Sequence, residues 1–223
     1  MKIYSNNQPM FDDWGEFLEK SNNLPQTNFP VCIGWKFCEE PYIIFNTEQT
    51  TLNDFNFGNF KDSNIIEVWD YSLENIKNFK KNGIHNVKYV PFCLWDDYKR
   101  KIESYNVNKN YEYDVVFVGW VNERRRLILN ELKQNGIKVL TIPSDTKRNL
   151  YGEERDNMIS KSKIFLNIHF KEDYKIFESY RCFPWVETNK IIVSENSLDN
   201  DIRCVNVNYE NIVNTIIKII NDN

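Results

Sequence analysis

Histidine, cysteine and glycine are scarce in this 223-residue chain, and each scarcity excludes a class of chemistry. The two histidines, His85 and His169, and five cysteines without a C-x-x-C spacing are too scattered to assemble a zinc site. The odd number of cysteines also argues against a disulfide framework. Seven glycines include no G-x-G-x-x-G run, so the dinucleotide loop of nicotinamide oxidoreductases is missing. No stretch approaches the ~18 consecutive apolar residues of a membrane span. The segment from Met1 to Met10 is polar and lacks the apolar core of a secretion signal. A net charge of −4 creates no chain-wide positive field to gather nucleic acid or anionic lipid. The expectation is a protein of the reduced cytoplasm with no metal, no cofactor, no nucleic-acid partner and no membrane span.

Apolar residues (41%) and aromatic residues (15%), by contrast, are abundant enough for well-filled cores. Short β-rich runs alternate with helical patterns along almost the whole chain. Strands are predicted over Val31–Lys36, Tyr42–Asn46, Asn64–Trp69 and Val87–Val90. Five more are predicted over Asp114–Gly119, Ile137–Ile142, Lys163–Phe170, Lys190–Ser194 and Ile202–Val207. Helices are predicted over Asp12–Lys20, Ser72–Asn82, Glu123–Asn135, Gly152–Lys161, Phe177–Thr188 and Tyr209–Asn221. Continuous apolar runs such as Val115-Val116-Phe117-Val118 suit strands covered on both faces, and strand–helix alternation suits a mostly parallel sheet: the fold class is α/β. Helix ends agree with this pattern. Asn82-Gly83 and Asn135-Gly136 are stop signals, and Ser72 stands where an N-cap is wanted. The rhythm lapses between Asp96 and Tyr113. The predicted organisation is therefore a first domain over 1–95, a linker over 96–113 and a second domain over 114–223.

Three clusters could carry chemistry. In Phe117-Val118-Gly119-Trp120-Val121-Asn122-Glu123-Arg124-Arg125-Arg126, a buried strand ends on a glycine and a helix begins near Asn122. Ligands of open α/β sheets bind at such places. Three arginines in a first helical turn oppose the positive end of the helix dipole, and a bound anion would remove the conflict; a solvated face softened by Glu123 is the alternative. The second cluster joins Asn167 and His169, on one strand face, to Glu178 and Arg181, three apart on a helix. A satisfied core histidine and a surface salt bridge would explain it equally. The third is Asn46-Thr47-Glu48-Gln49, where an apolar strand runs into four polar groups able to bond hydroxyls or to cap a helix. Asp199-Asn200-Asp201 is expected to be a turn rather than a metal site.

These runs, with Tyr151-Gly152-Glu153-Glu154-Arg155 and Asn189-Lys190-x-x-Val193-Ser194-Glu195, resemble the donor-binding half of GT-B glycosyltransferases. The likeness is to the small bacterial and viral "glycosyltransferase family 1 protein" group. Upstream, Ile44-Phe45-Asn46-x-Glu48-Gln49, Val68-Trp69-Asp70-Tyr71-Ser72 and Tyr89-Val90-Pro91 are similar to its acceptor half, so the resemblance spans roughly residues 42–195. It implies two Rossmann-like halves facing across a cleft, the first one reduced. It also implies metal-independent transfer of a sugar from a nucleoside-diphosphate sugar to the hydroxyl of a sugar or glycan acceptor. Gly119, Asn122, Arg124, Arg125, Arg126, Tyr151, Asn167, Glu178 and Arg181 would then hold the donor, with Asn46 and Gln49 on the acceptor side. Glu48 and His169 are both candidates for the base. The paired glutamates of the larger family, E-x7-E, are absent, because Glu178 and Glu187 are one residue too far apart. With the short first half, this leaves a second reading: a nucleotide-sugar-binding module that performs no transfer.

Overall fold

The computed structural model describes residues 2–4, 15–16, 18–20, 24–34, 38–105, 107–143 and 152–222. The chain is α/β, with two five-stranded, all-parallel sheets. It divides into two compact units, Met1–Trp95 with Asp173–Ile176, and Asp96–Glu172 with Phe177–Asn223.

In the first unit, β1 (Ile3–Tyr4), β2 (Val31–Ile33), β3 (Tyr42–Phe45), β4 (Ile65–Asp70) and β5 (Val87–Tyr89) lie side by side in chain order. Helix α1 (Leu73–Lys81) starts on Ser72, whose hydroxyl accepts the amides of Glu74 and Asn75 as the sequence suggests. Its Phe79 closes the core over Cys32, Tyr42, Ile44 and Val68, with the rings of Phe55, Phe57 and Phe60 packed edge-on or stacked around it.

The second unit holds α2 (Asp96–Ser104), β6 (Tyr113–Val118), α3 (Glu123–Gln134), β7 (Val139–Ile142), α4 (Gly152–Ser160), β8 (Ser162–Asn167), α5 (Ser179–Glu187), β9 (Ile191–Glu195), β10 (Val205–Val207) and α6 (Ile212–Asn221). Val115, Val116 and Phe117 of β6 and Ile164, Phe165 and Leu166 of β8 have no exposed surface, as their unbroken apolar runs predict. One side of the sheet is covered by Ile128, Leu129 and Leu132 of α3 with Ile212, Val213 and Ile216 of α6. The other side packs Ile102 of α2, Ile159 of α4, and Cys182, Trp185 and Val186 of α5. The strand order is β10-β9-β8-β6-β7. In chain terms the sheet grows one way from β6 to β7, then reverses and grows the other way through β8, β9 and β10. The reversal falls between β6 and β8, where the loops leaving the two strands part to opposite faces and open a crevice. The first sheet, built in chain order, has no such reversal among its described strands.

Several sequence expectations need correction. The stretch predicted as a linker contains α2, held by buried Ile102 and by the Tyr98 hydroxyl, which bonds Asp156 at 2.5 Å. Strand β1 was not foreseen, since two residues carry no periodic signal. Strand β8 stops at Asn167, so His169 lies in the loop beyond it rather than on a shared strand face. Strand β10 starts only at Val205 because Asp201 accepts the backbone and side chain of Arg203 and fixes a turn before it. Helix α5 begins at Ser179, leaving Glu178 as its N-cap residue. Of the helix expected over Asp12–Lys20, residues 15–16 and 18–20 are helical and the rest lies outside the described residues. Among the described residues, no helix is long and apolar enough to cross a membrane.

Candidate functional site

The candidate site lies at the reversal in the second sheet, at the carboxyl ends of β6 and β8. Asn122 caps α3: its side-chain oxygen accepts the Arg125 amide at 3.1 Å, and its nitrogen donates to the Phe170 carbonyl at 2.6 Å. Arg125 is buried, with a side chain 2% exposed. Its Nε and Nη2 donate to the Ile168 carbonyl at 3.0 and 2.7 Å, and its Nη1 donates to the Trp120 carbonyl at 2.8 Å. Arg124 donates to the His169 carbonyl at 3.1 Å, pairs in two-pronged fashion with the Glu195 carboxylate, and stacks on the Tyr209 ring with its guanidinium carbon 3.9 Å from the centroid. Arg126 points outward and pairs with Glu123.

The three consecutive arginines therefore do not converge on one ligand. Their charges are offset from within by loop carbonyls, Glu195 and Glu123. The dipole argument identified a real conflict, but the protein itself supplies the counter-charges, so a bound anion is not required to remove it. Asn122, expected to touch a donor, is engaged at both ends of its amide, the oxygen capping α3 and the nitrogen holding the loop after β8.

Glu178 and Arg181 stand differently. Glu178 lies between two guanidiniums, 3.3 Å from Arg125 Nη2 and paired with Arg181 Nη2. At 15% side-chain exposure it belongs to a semi-buried network rather than a solvated surface bridge. Arg181 reaches from the first turn of α5 to the end of β6. Its Nη1 is buried and has no hydrogen-bond partner among the described residues. Gly119 makes room for it. The residue adopts φ +134°, and a Cβ there would stand 3.3 Å from Arg181 Nη2, so a side chain would meet both backbone strain and the guanidinium.

Among the other buried polar atoms of this unit without a hydrogen-bond partner among the described residues, two belong to residues expected at the site. Asn167 donates through Nδ2 to Ser194 Oγ at 3.1 Å, but its Oδ1 is unpaired. His169 Nε2 is 3.2 Å from the Asn196 carbonyl and 3.1 Å from the Ser197 hydroxyl; donation to the carbonyl, which can only accept, corresponds to the tautomer in which Nδ1 offers a lone pair. That Nδ1 is buried with no partner among the described residues. Burial is the main influence on the His169 pKa and pulls it below its ordinary value, against the opposing pull of Glu178 and Glu195, which keeps the ring neutral near pH 7. The second unit thus offers one cationic donor and two neutral acceptors, all three shielded from water and unpaired. Buried polar groups left in that state are uncommon in folded proteins and call for an explanation.

No described protein family matches the chain. No solved structure matches it. Uncharacterized proteins of Acanthamoeba polyphaga mimivirus are similar to it. One is 31% identical over 192 residues, covering 81% of this chain and 25% of that protein. A second is 32% identical over 160 residues, covering 71% and 50%. A third is 32% identical over 191 residues, covering 82% and 62%. The chain thus spans between a quarter and three fifths of the length of these curated relatives.

In the first unit, the residues expected on an acceptor side serve the unit itself. Asn46 Nδ2 donates at 2.7 Å to both the Glu48 carbonyl and Asp70 Oδ2, and its oxygen accepts the Glu48 amide. Gln49 Oε1 accepts the Ile176 amide at 2.8 Å, which ties down the 173–176 segment. The buried Asp70 carboxylate, which sequence reasoning passed over, also gathers the Ser72 amide and Asn75 Nδ2. Glu48 has no hydrogen bond to its carboxylate among the described residues, and burial followed by Asp54 pushes its pKa up. Glu195 was quoted within a motif but not chosen as a site residue. Its position at the end of an apolar strand was the available signal. Asp199 accepts the Phe177 amide and Asn200 accepts the Ser197 amide, so that segment is the expected turn. Tyr151 lies outside the described residues. Among the described residues, no group of three or more His, Cys, Asp or Glu is arranged to hold a metal ion.

Proposed function

We propose that the second unit binds a nucleoside-diphosphate sugar at the carboxyl ends of β6 and β8, and that the protein is a metal-independent glycosyltransferase of GT-B type working in the cytoplasm. The observation that carries this reading is that three of the unit's buried polar atoms without partners among the described residues, Arg181 Nη1, His169 Nδ1 and Asn167 Oδ1, belong to the carboxyl end of β8, the loop beyond it and the first turn of α5, on the side where the sheet reverses between β6 and β8. A phosphate oxygen suits the free guanidinium nitrogen, and sugar or ribose hydroxyls suit the two acceptors. In transfer, Arg181 stabilises the charge that collects on the departing diphosphate. A neutral imidazole with a free lone pair is equipped to take the proton of an acceptor hydroxyl, which favours His169 over Glu48 as the base.

Titration calorimetry with uridine and guanosine diphosphates and their sugar derivatives, in the presence of chelator, tests this. The reading expects binding, and expects Arg181→Met to weaken it by about 10- to 100-fold, the loss of one charge-assisted bond. Failure of every nucleotide to bind at millimolar concentration, or unchanged affinity in Arg181→Met, refutes it. One observation favours the second reading, a binding module without transfer: Asn46 and Gln49 are engaged in the first unit's own structure. Hydrolysis of bound donor over hours separates the two, since a module releases no free sugar.

A further inference from the structure

At the amino ends of β8 and β9 lies a cavity of about 760 Å³, wholly within the second unit. Six-residue β8 is roughly 20 Å long, so this cavity and the carboxyl-end site sit at opposite ends of the strand. Its walls are mixed, with apolar side chains of Ile102, Val107, Ile164, Trp185, Ile219 and Ile220 interspersed with polar and charged ones. Into this lining comes one cation with an unusual setting. Lys190, just before β9, donates from Nζ to the Ser162 carbonyl and stands 5.6 Å from the Tyr111 ring centroid and 5.8 Å from that of Trp185. No carboxylate pairs with it among the described residues. The other charged groups lining the cavity are Lys109, Glu103 and Lys163, and Lys163 is paired with Asp114 at 3.0 Å. Burial alone lowers the Lys190 pKa to about 8.

An ammonium group has three donors, and Lys190 has one hydrogen-bond acceptor among the described residues, the Ser162 carbonyl; the two rings attract its charge without accepting a hydrogen bond. We propose that this cavity is a second ligand site, which takes an organic anion with a hydrocarbon or aromatic body, its carboxylate on Lys190 and its body against Trp185 and the isoleucines. The match has two independent parts. The volume falls within the range of small-molecule pockets, and the apolar part of the lining rewards burial of a hydrocarbon or aromatic body. An anion supplies the counter-charge that the fold does not give Lys190.

The test uses the full chain with 8-anilinonaphthalene-1-sulfonate as a fluorescent probe, displaced by octanoate or by octanol. Octanoate should displace the probe about 10- to 100-fold more effectively than octanol, the value of a charge-assisted bond. Lys190→Met should abolish that preference by weakening octanoate while leaving octanol unchanged. In the unaltered chain, octanoate affinity should fall as the pH rises through about 8, where Lys190 loses its proton. Uridine diphosphate should not displace the probe. Equal displacement by octanoate and octanol, a preference that survives Lys190→Met, or no octanoate binding at millimolar concentration would each overturn the proposal. Displacement by uridine diphosphate would overturn it too, by showing that the probe sits elsewhere.

Discussion

Replacing Arg125 by methionine should destabilise the second unit severely while touching ligand affinity only through the fold. Methionine keeps the apolar stem against Phe117 and Phe170, whose ring centroids lie 5.2 and 5.3 Å from the guanidinium carbon. What disappears is the donor set. The Ile168 carbonyl loses two hydrogen bonds and the Trp120 carbonyl loses one. A buried acceptor left without a partner costs about 1–3 kcal/mol, so two carbonyls give roughly 2–6 kcal/mol. Glu178 loses its contact at 3.3 Å but keeps Arg181, so its contribution stays below the ~3–5 kcal/mol of breaking an isolated buried pair. A loss of about 3–5 kcal/mol, at ~2–4 °C per kcal/mol for a chain of this size, lowers the melting temperature by about 6–20 °C. Urea unfolding followed by circular dichroism reads the same loss as a lower midpoint at unchanged slope. Arg126→Ala is the internal control, because its exposed pair with Glu123 is worth at most about 1 kcal/mol. If Arg125→Met lost less than about 1 kcal/mol and yet bound nucleotide far more weakly, the guanidinium would belong to the ligand and the clamp described above would be wrong.

Two further outcomes follow from the same geometry. Gly119→Ala should cost about 1–3 kcal/mol in backbone strain and, by displacing Arg181, should weaken nucleotide binding as well; Gly136→Ala, at φ +78° with open space around it, should leave binding intact in the same titration. His169, whose folded pKa lies below 6.5, binds a proton less readily folded than unfolded, so its contribution to stability is full above about pH 6.5 and is lost as the pH falls through the lowered folded value. Urea midpoints measured from pH 7.5 down to 5 should show that slope, and His169→Gln should flatten it; an unchanged slope in the variant would assign the pH dependence to other groups.

The strands that form the second sheet's centre were legible because both their faces are covered, which leaves nothing but apolar residues to write in the sequence. Helix α2 was not, since only Ile102 of its nine residues is buried and the rest reads as a polar loop. The end of β8 was misjudged for a related reason. Ile168 is fully buried and continues the apolar run, but it lies in the loop that Arg125 holds and packs into the core beside α3 and α6 without pairing in the sheet. The arginine cluster shows a different limit. Successive helical residues point about 100° apart, so three neighbours in sequence cannot face one ligand. They fan out, Arg124 to Glu195, Arg125 into the crevice and Arg126 to solvent. Composition identified the right helix turn, whereas direction required the fold.

That fan has a structural logic of its own. At the reversal point the chain beyond β8 leaves the sheet, so its carbonyls lose their ladder partners just where burial makes an unpaired acceptor costly. The first turn of α3 supplies the missing donors in order: Arg125 to Ile168, Arg124 to His169, and Asn122 to Phe170. Each loop carbonyl is capped by a side chain from the neighbouring strand–helix connection, so the same contacts that satisfy the backbone also set the width of the crevice. Groups engaged in that duty cannot also grip a ligand without releasing the loop. On the proposed reading, recognition falls to the atoms the stitching leaves over, on α5 and at or just beyond the end of β8 rather than on α3. Replacing Arg125 should then act mainly on stability, whereas replacing Arg181 should lower affinity as well as the stability that its pair with Glu178 contributes.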